Sequence, residues 1–151
     1  MKRKPGPAAD DPAAGSPGFL LWRATNRWQR QLRDALQSTG LTHVQFVLLA
    51  AARDLAASGT PVTQTALAAR ANTDPMMTSQ VVRTLERRGL LARTLHPADR
   101  RARIVAVTPE GARVAEEAGT LARRADRDFF GVLGPREEKF VKRLRKLVEE
   151  G

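Results

Sequence analysis

Residues 73–107 read TDPMMTSQVVRTLERRGLLARTLHPADRRARIVAV. Asp74 and Pro75 mark a helix start: a carboxylate able to cap free amides precedes a residue whose fixed φ suits the first helical position. The helix runs to Arg88 and Gly89 stops it. Beyond that point the helical period vanishes, and Leu90–Leu95 and Arg103–Val107 read as antiparallel strands joined by the turn His96-Pro97-Ala98-Asp99-Arg100-Arg101. The stretch holds seven arginines against three acids, within a chain of net charge +10 at pH 7. A groove-sized helix beside a cationic finger points to DNA, where affinity comes largely from counterion release. Charge alone also suits an anionic membrane surface or a solubility role, so the motifs must decide.

Upstream, Thr63 caps a short helix through Ala71, with Val62 placed to staple against Leu67, after a turn at Ser58-Gly59-Thr60-Pro61. Two short helices separated by a few turn residues make a helix-turn-helix, and the hairpin behind it makes a winged helix. Thr42 and Gln45 form a capping box with Leu41 facing Phe46, opening a helix to about Ala57. Val44, Val47, Leu48, Ala51 and Leu55 give that helix a core face, while Phe46 and Leu49 make its other side apolar, so it is expected to be buried all round. Leu21, Thr25, Trp28, Leu32 and Ala35 form the stripe of the first helix, which Gly40 ends.

Downstream, Thr108-Pro109-Glu110 repeats the cap, proline and acid pattern and opens a fifth helix towards Phe130, broken by Gly131 and Gly134. Pro135, Glu137 and Glu138 start a sixth, with Phe140, Val141, Leu144, Leu147 and Val148 on one stripe. The expected fold is mainly α with a small β wing: a winged helix-turn-helix over 41–108 with dimerisation helices at 18–40 and 109–151. Together 18–151 make one domain, and 1–17 read as a disordered tail. The apolar faces at both ends exceed what a small winged helix can cover, so a second copy of the chain is the expected partner.

The 151 residues include no cysteine, which excludes disulfides and thiolate metal sites. His43 and His96 do not make a zinc site, and no metal or other cofactor is expected. The tail lacks the apolar stretch of a secretory signal, and the charge-free run Ala35–Ala52 is interrupted by Gln37, Ser38, Gly40, Thr42 and Gln45. No membrane partner is expected, and the location is cytoplasmic. No glycine-rich phosphate loop or nucleophile–base pair suggests an enzyme. The alternative is a non-specific architectural nucleic-acid-binding protein, but with 5% aromatic residues the chain lacks stacking platforms for single strands.

From Phe19 to about Val148 the chain resembles the MarR family (multiple antibiotic resistance regulators) of dimeric winged-helix transcription factors. The resemblance is carried by Leu85-Glu86 with Arg88-Gly89-Leu90, by Arg93, by Asp99-Arg100-Arg101 and by Thr108-Pro109-Glu110-Gly111. It implies a homodimeric regulator, usually a repressor, whose terminal helices form the dimer interface. Its fourth helix would enter the major groove of a pseudo-palindromic operator while its wing approaches the minor groove. Asp74-Pro75-Met76-Met77 departs from the serine- and threonine-rich start of that helix in many relatives, and the oxidant-sensing cysteine of others is absent.

At 100° per residue, Thr78, Val81, Val82 and Leu85 fall on one side of the fourth helix, with Met76, Gln80, Arg83 and Arg87 opposite. The second set is expected to face double-stranded DNA, Gln80 pairing with adenine, Arg83 with guanine and Met76 touching a thymine methyl. Thr73, Thr78 and Ser79 carry hydroxyls suited to phosphates or base edges, and Met77 is expected to fill the core. In the family motif the acid equivalent to Asp99 braces the arginine that reaches DNA, which makes Arg101 the minor-groove residue; Arg100 and Arg103 are assigned to phosphates. His96 reads as a turn residue. The resemblance also implies a small aromatic or anionic effector between the dimerisation helices and the winged helix, for which Trp22, Arg23, Asn26, His43 and Phe46 have suitable chemistry.

Overall fold

The computed structural model describes residues 15–150. Its elements are α1 (Pro17–Leu36), prolonged by a 3-10 turn (Gln37–Thr39), α2 (His43–Ala57), α3 (Gln64–Ala71), α4 (Pro75–Arg87), β1 (Leu91–Leu95), β2 (Arg103–Val107), α5 (Pro109–Phe130), a second 3-10 segment (Gly131–Arg136) and α6 (Glu137–Glu149). Most of the tail expected at 1–17 lies outside the described residues. Its end does not belong to a tail: Ser16 accepts the Phe19 N–H at 3.2 Å and Pro17 opens α1.

The helix boundaries follow from capping. Thr42 and Gln45 form the reciprocal capping box of α2; Thr63, Asp74 and Thr108 each accept an amide of the first turn of α3, α4 and α5. Gly40 and Gly89 take the left-handed φ values of +66° and +72° that let the chain leave α1 and α4. The strands pair antiparallel from Leu91 opposite Val107 to Leu95 opposite Arg103. Leu90 lies outside the ladder because its N–H bonds the Leu85 carbonyl and its carbonyl accepts from Thr108.

Leu32, Leu36, Leu48, Leu49, Leu67, Val82, Leu85, Leu91 and Val105 form one core joining α1 to α4 and the wing. From His43 to Ala52 no residue of α2 is exposed, whereas Arg53, Asp54, Ala56 and Ala57 reach solvent, so its burial all round holds only for the first ten residues. Gly111 lets α5 pass the strand: a Cβ there would lie 1.9 Å from the Leu90 carbonyl oxygen.

Candidate DNA-binding interface

The outward face of α4 has the composition expected of it: Met76 is 71% exposed, and Gln80, Arg83 and Arg87 are all exposed. Arg83 lies back along its own helix, its Nη2 donating to Ser79 Oγ at 3.0 Å and its Nε to the Ser79 carbonyl at 3.3 Å. Arg87 likewise donates to Thr84 Oγ1 at 3.1 Å. These exposed, neutral-acceptor bonds exchange readily for charge-assisted ones to an anion.

Thr78 corrects the expected set. It is 0% exposed. Its hydroxyl donates to the Asp74 carbonyl at 2.9 Å, so Thr73, 2.8 Å away, donates to it in turn. Thr78 therefore has no path to a nucleic acid; it holds the start of α4 to the turn behind it. Thr73 is half-buried with its hydroxyl committed to that bond, and Ser79 is half-buried with its hydroxyl on Arg83. Met77 is 41% exposed instead of filling the core. Thr78 takes the inward position, and one helical step turns Met77 away from it.

In the wing, Asp99 Oδ1 accepts the main-chain N–H of Arg101 at 2.9 Å, so the brace acts on the turn backbone and leaves the guanidinium free. The His96 N–H bonds the Ala102 carbonyl, Ala102 bonds that of Asp99, and His96 Nδ1 accepts from Ala98, as suits a turn residue. Arg100, Arg101 and Arg103 are exposed, and among the described residues none makes an ion pair. Glu86 and Arg93 join α4 to β1. Arg88, which the sequence marks only as charge and as part of a motif, reaches from the end of α4 to the α1–α2 turn through two hydrogen bonds and to Gln45 of α2 through a third. Its partners lie more than forty positions away, beyond any spacing signal.

The five residues expected at an effector site do not meet within one chain. Trp22, Arg23 and Asn26 line an open cleft of about 550 Å³ with Arg27, Arg30 and Phe129. Phe46 lines a separate cleft of about 260 Å³ between α2 and α5, with Arg53, Arg123 and Asp126. His43 packs edge-on against the Trp28 ring, 5.2 Å between centroids, and Trp28 Nε1 donates to Asp126 at 2.8 Å. Burial lowers the His43 pKa below its usual value, partly offset by the negative charge of Asp126.

The terminal helices and the 3-10 segment before α6 expose apolar surface. Trp22 is 63%, Val132 87% and Val148 82% exposed, and α6 has no buried residue. Beside them Leu21, Trp28, Phe129, Phe130, Phe140 and Leu144 line an almost wholly apolar groove of about 240 Å³. Among the described residues no helix is long and apolar enough to cross a membrane, and no three potential metal ligands cluster.

Comparison with known proteins agrees with this geometry. The sequence model of the MarR family matches residues 41–102, which span α2 to the wing turn. The chain is 41% identical over 134 residues to the HTH-type transcriptional regulator YdcH of Bacillus subtilis, covering 89% of this chain and 90% of that protein. Among solved structures, BpsR of Bordetella bronchiseptica, whose DNA binding is regulated by 6-hydroxynicotinic acid, is similar with a TM-score of 0.82 at 31% identity, covering 95% and 99% of the two chains. CouR of Rhodococcus jostii, bound to p-coumaroyl-CoA, is similar with a TM-score of 0.79 at 30% identity, covering 93% and 94%.

Proposed function

The chain belongs to the MarR family of transcriptional regulators, and from that premise we propose that it works as a homodimeric repressor, holding an operator through its two recognition helices and releasing it when a small ligand binds. The observation that carries the reading is the pairing of an exposed α4 face, Met76, Gln80, Arg83 and Arg87, with three wing arginines, Arg100, Arg101 and Arg103, that lack acid partners among the described residues. Gln80 and Arg83 read base edges, Met76 meets a thymine methyl, and Arg87, Arg100 and Arg103 hold phosphates, while the hydroxyls of Ser79 and Thr73 stay with Arg83 and Thr78. Arg101 enters the minor groove from a turn kept in shape by Asp99.

The apolar faces of α1 and α6 are the dimer surface. Two-fold symmetry then sets half-sites about 34 Å apart. The effector is a small aromatic acid bound in the α2–α5 cleft, where Phe46 offers an apolar wall and Arg53 and Arg123 offer cations. Glu116 holds both arginines, at 2.6 and 3.7 Å, so an incoming carboxylate competes with it. 6-Hydroxynicotinic acid, which regulates BpsR, is such an acid and supports this choice, and the p-coumaroyl group bound to CouR supports the aromatic ring alone.

A gel-shift titration against the DNA upstream of the chain's own gene tests the reading. Binding that weakens steeply with salt and resists unrelated competitor duplex supports it; affinity indifferent to sequence refutes it. Analytical ultracentrifugation of Val148→Asp tests the dimer, which this change drives towards monomer.

A further inference from the structure

Arg88 occupies the C-cap of α4, yet its guanidinium serves another part of the fold. Nη1 donates to the Gly40 carbonyl at 2.9 Å and to Gln45 Oε1 at 3.3 Å, and Nη2 donates to the Thr39 carbonyl at 3.2 Å. Thr39 and Gly40 close the 3-10 turn that prolongs α1, so these carbonyls belong to the set that a helix end leaves without internal partners, where a cation is favoured. Gln45 meanwhile accepts the Thr42 N–H in the capping box of α2. Gly40 fits the same contact, since its φ is +66° and a Cβ there would lie 3.2 Å from Arg88 Nη2.

We propose that Arg88 is a positioning residue that couples α1 to the recognition helix and so sets the half-site spacing the dimer accepts. The inference rests on the dimeric reading above. A planar guanidinium forked across three acceptors fixes orientation as well as distance, which a lysine ammonium does not. The two ends of α4 answer to different parts of the fold. Its start is held to the turn after α3 by Thr73 and Thr78, and its end by Arg88 to the close of α1 and the first turn of α2, beside the Glu86 contact to β1. A shift of α1 against its dimer partner therefore swings the end of α4 about its start.

The test uses a duplex selected from a random library by the wild-type protein, and versions of it lengthened or shortened by one base pair between the half-sites. Wild type, Arg88→Ala, Arg88→Lys and, as a control for losing an exposed arginine, Arg113→Ala are compared by fluorescence anisotropy, with thermal melting of each. The preference of Arg88→Ala for the selected spacing falls by about tenfold while its binding to mixed-sequence duplex stays that of wild type. Arg88→Lys falls between, and Arg113→Ala keeps the wild-type profile. If Arg88→Ala does not fold, the Arg88→Lys profile decides. An unchanged spacing profile, or an equal loss on every duplex as for a phosphate contact, overturns the proposal. A wild-type protein that selects only single half-sites overturns the dimeric reading and this inference with it, whereas an altered Arg88→Ala profile upholds both.

Discussion

Glu86 on the recognition helix and Arg93 on the first wing strand meet at 2.7 Å, one carboxylate oxygen accepting from both Nε and Nη2 of the guanidinium. Their side chains are 33% and 28% exposed, so solvent screens the pair only in part. The contact ties the wing to α4, so in the proposed function it would keep the two sets of DNA contacts in register. Arg93→Ala leaves Glu86 partly buried without a cation and is expected to lower stability by about 1 kcal/mol after discounting for exposure. Urea denaturation measures this, and Glu86→Gln, which keeps the shape and one acceptor, should lose less.

Thr78→Val removes the hydroxyl at nearly constant volume. Thr73 loses its acceptor and the Asp74 carbonyl one of its donors, which should cost about 1–2 kcal/mol of stability. The folded variant should bind operator as wild type does. A loss of affinity of about tenfold at unchanged stability would instead return Thr78 to the DNA contacts.

Gly111→Ala places a methyl 1.9 Å from a backbone oxygen, which cannot move aside as a side-chain tip can. Either α5 retreats from Leu90 or the strand start shifts, and both disturb the cap in which Thr108 donates to Gly89 at 2.6 Å. Destabilisation of about 3 kcal/mol is expected in a thermal or urea melt. Gly119→Ala is the comparison: the added Cβ meets only the end of the flexible Arg123 side chain, and little stability should be lost.

What the sequence disclosed follows how local each signal was. The Thr42–Gln45 box, the Asp74 and Thr108 caps and the Gly89 stop all act within a few residues, and each lies where its spacing implied. The faces of α4 followed from the helical period, which already turned Thr78 inward; its hydroxyl chemistry suggested DNA, and burial decided against that. Arg88 was illegible because its meaning depends on a turn 48 positions away. The residues suited to an effector share only their chemistry: tertiary packing divides Trp22, Arg23 and Asn26 from Phe46 and turns His43 against Trp28.

His43 gives a pH dependence of definite sign. Its pKa in the fold lies below the usual 6.5 because burial outweighs the attraction of Asp126, so the unfolded chain takes up the proton first as pH falls. Stability should therefore decline as pH drops through about 6.5 and level off below the folded pKa. Glu110 and Glu116, held down by Arg113 and Arg53, lose their contributions only below the ordinary carboxylate value of 4.5, a separate window. Unfolding free energies measured between about pH 8 and pH 5.5 should slope for wild type and flatten for His43→Gln. A slope that survives the substitution would assign it to another group.

Arg83 and Arg101 are expected to fail in different ways, because the proposed function has one read a base edge and the other a groove's potential. Arg83→Ala should reduce affinity by about 1–3 kcal/mol for the best operator and relax preference at one base pair, with less loss on mixed-sequence DNA. Arg101→Ala should weaken binding most where the sequence beneath the wing is A·T-rich, since a narrow minor groove carries the stronger negative potential. It should also lower the slope of log affinity against log salt by about one, having removed one cation from the polyanion's surface. To read a base Arg83 would have to give up its bonds to Ser79, whereas the Asp99 brace leaves the Arg101 guanidinium unengaged. Arg83→Ala should therefore cost slightly less than the base contact alone is worth, and Ser79→Ala, which frees Arg83 from its resting hydroxyl, should leave operator affinity equal or higher. Anisotropy titrations at several salt concentrations separate these outcomes. Identical losses for Arg83→Ala on every sequence would reduce it to a phosphate contact and leave Gln80 as the principal reader.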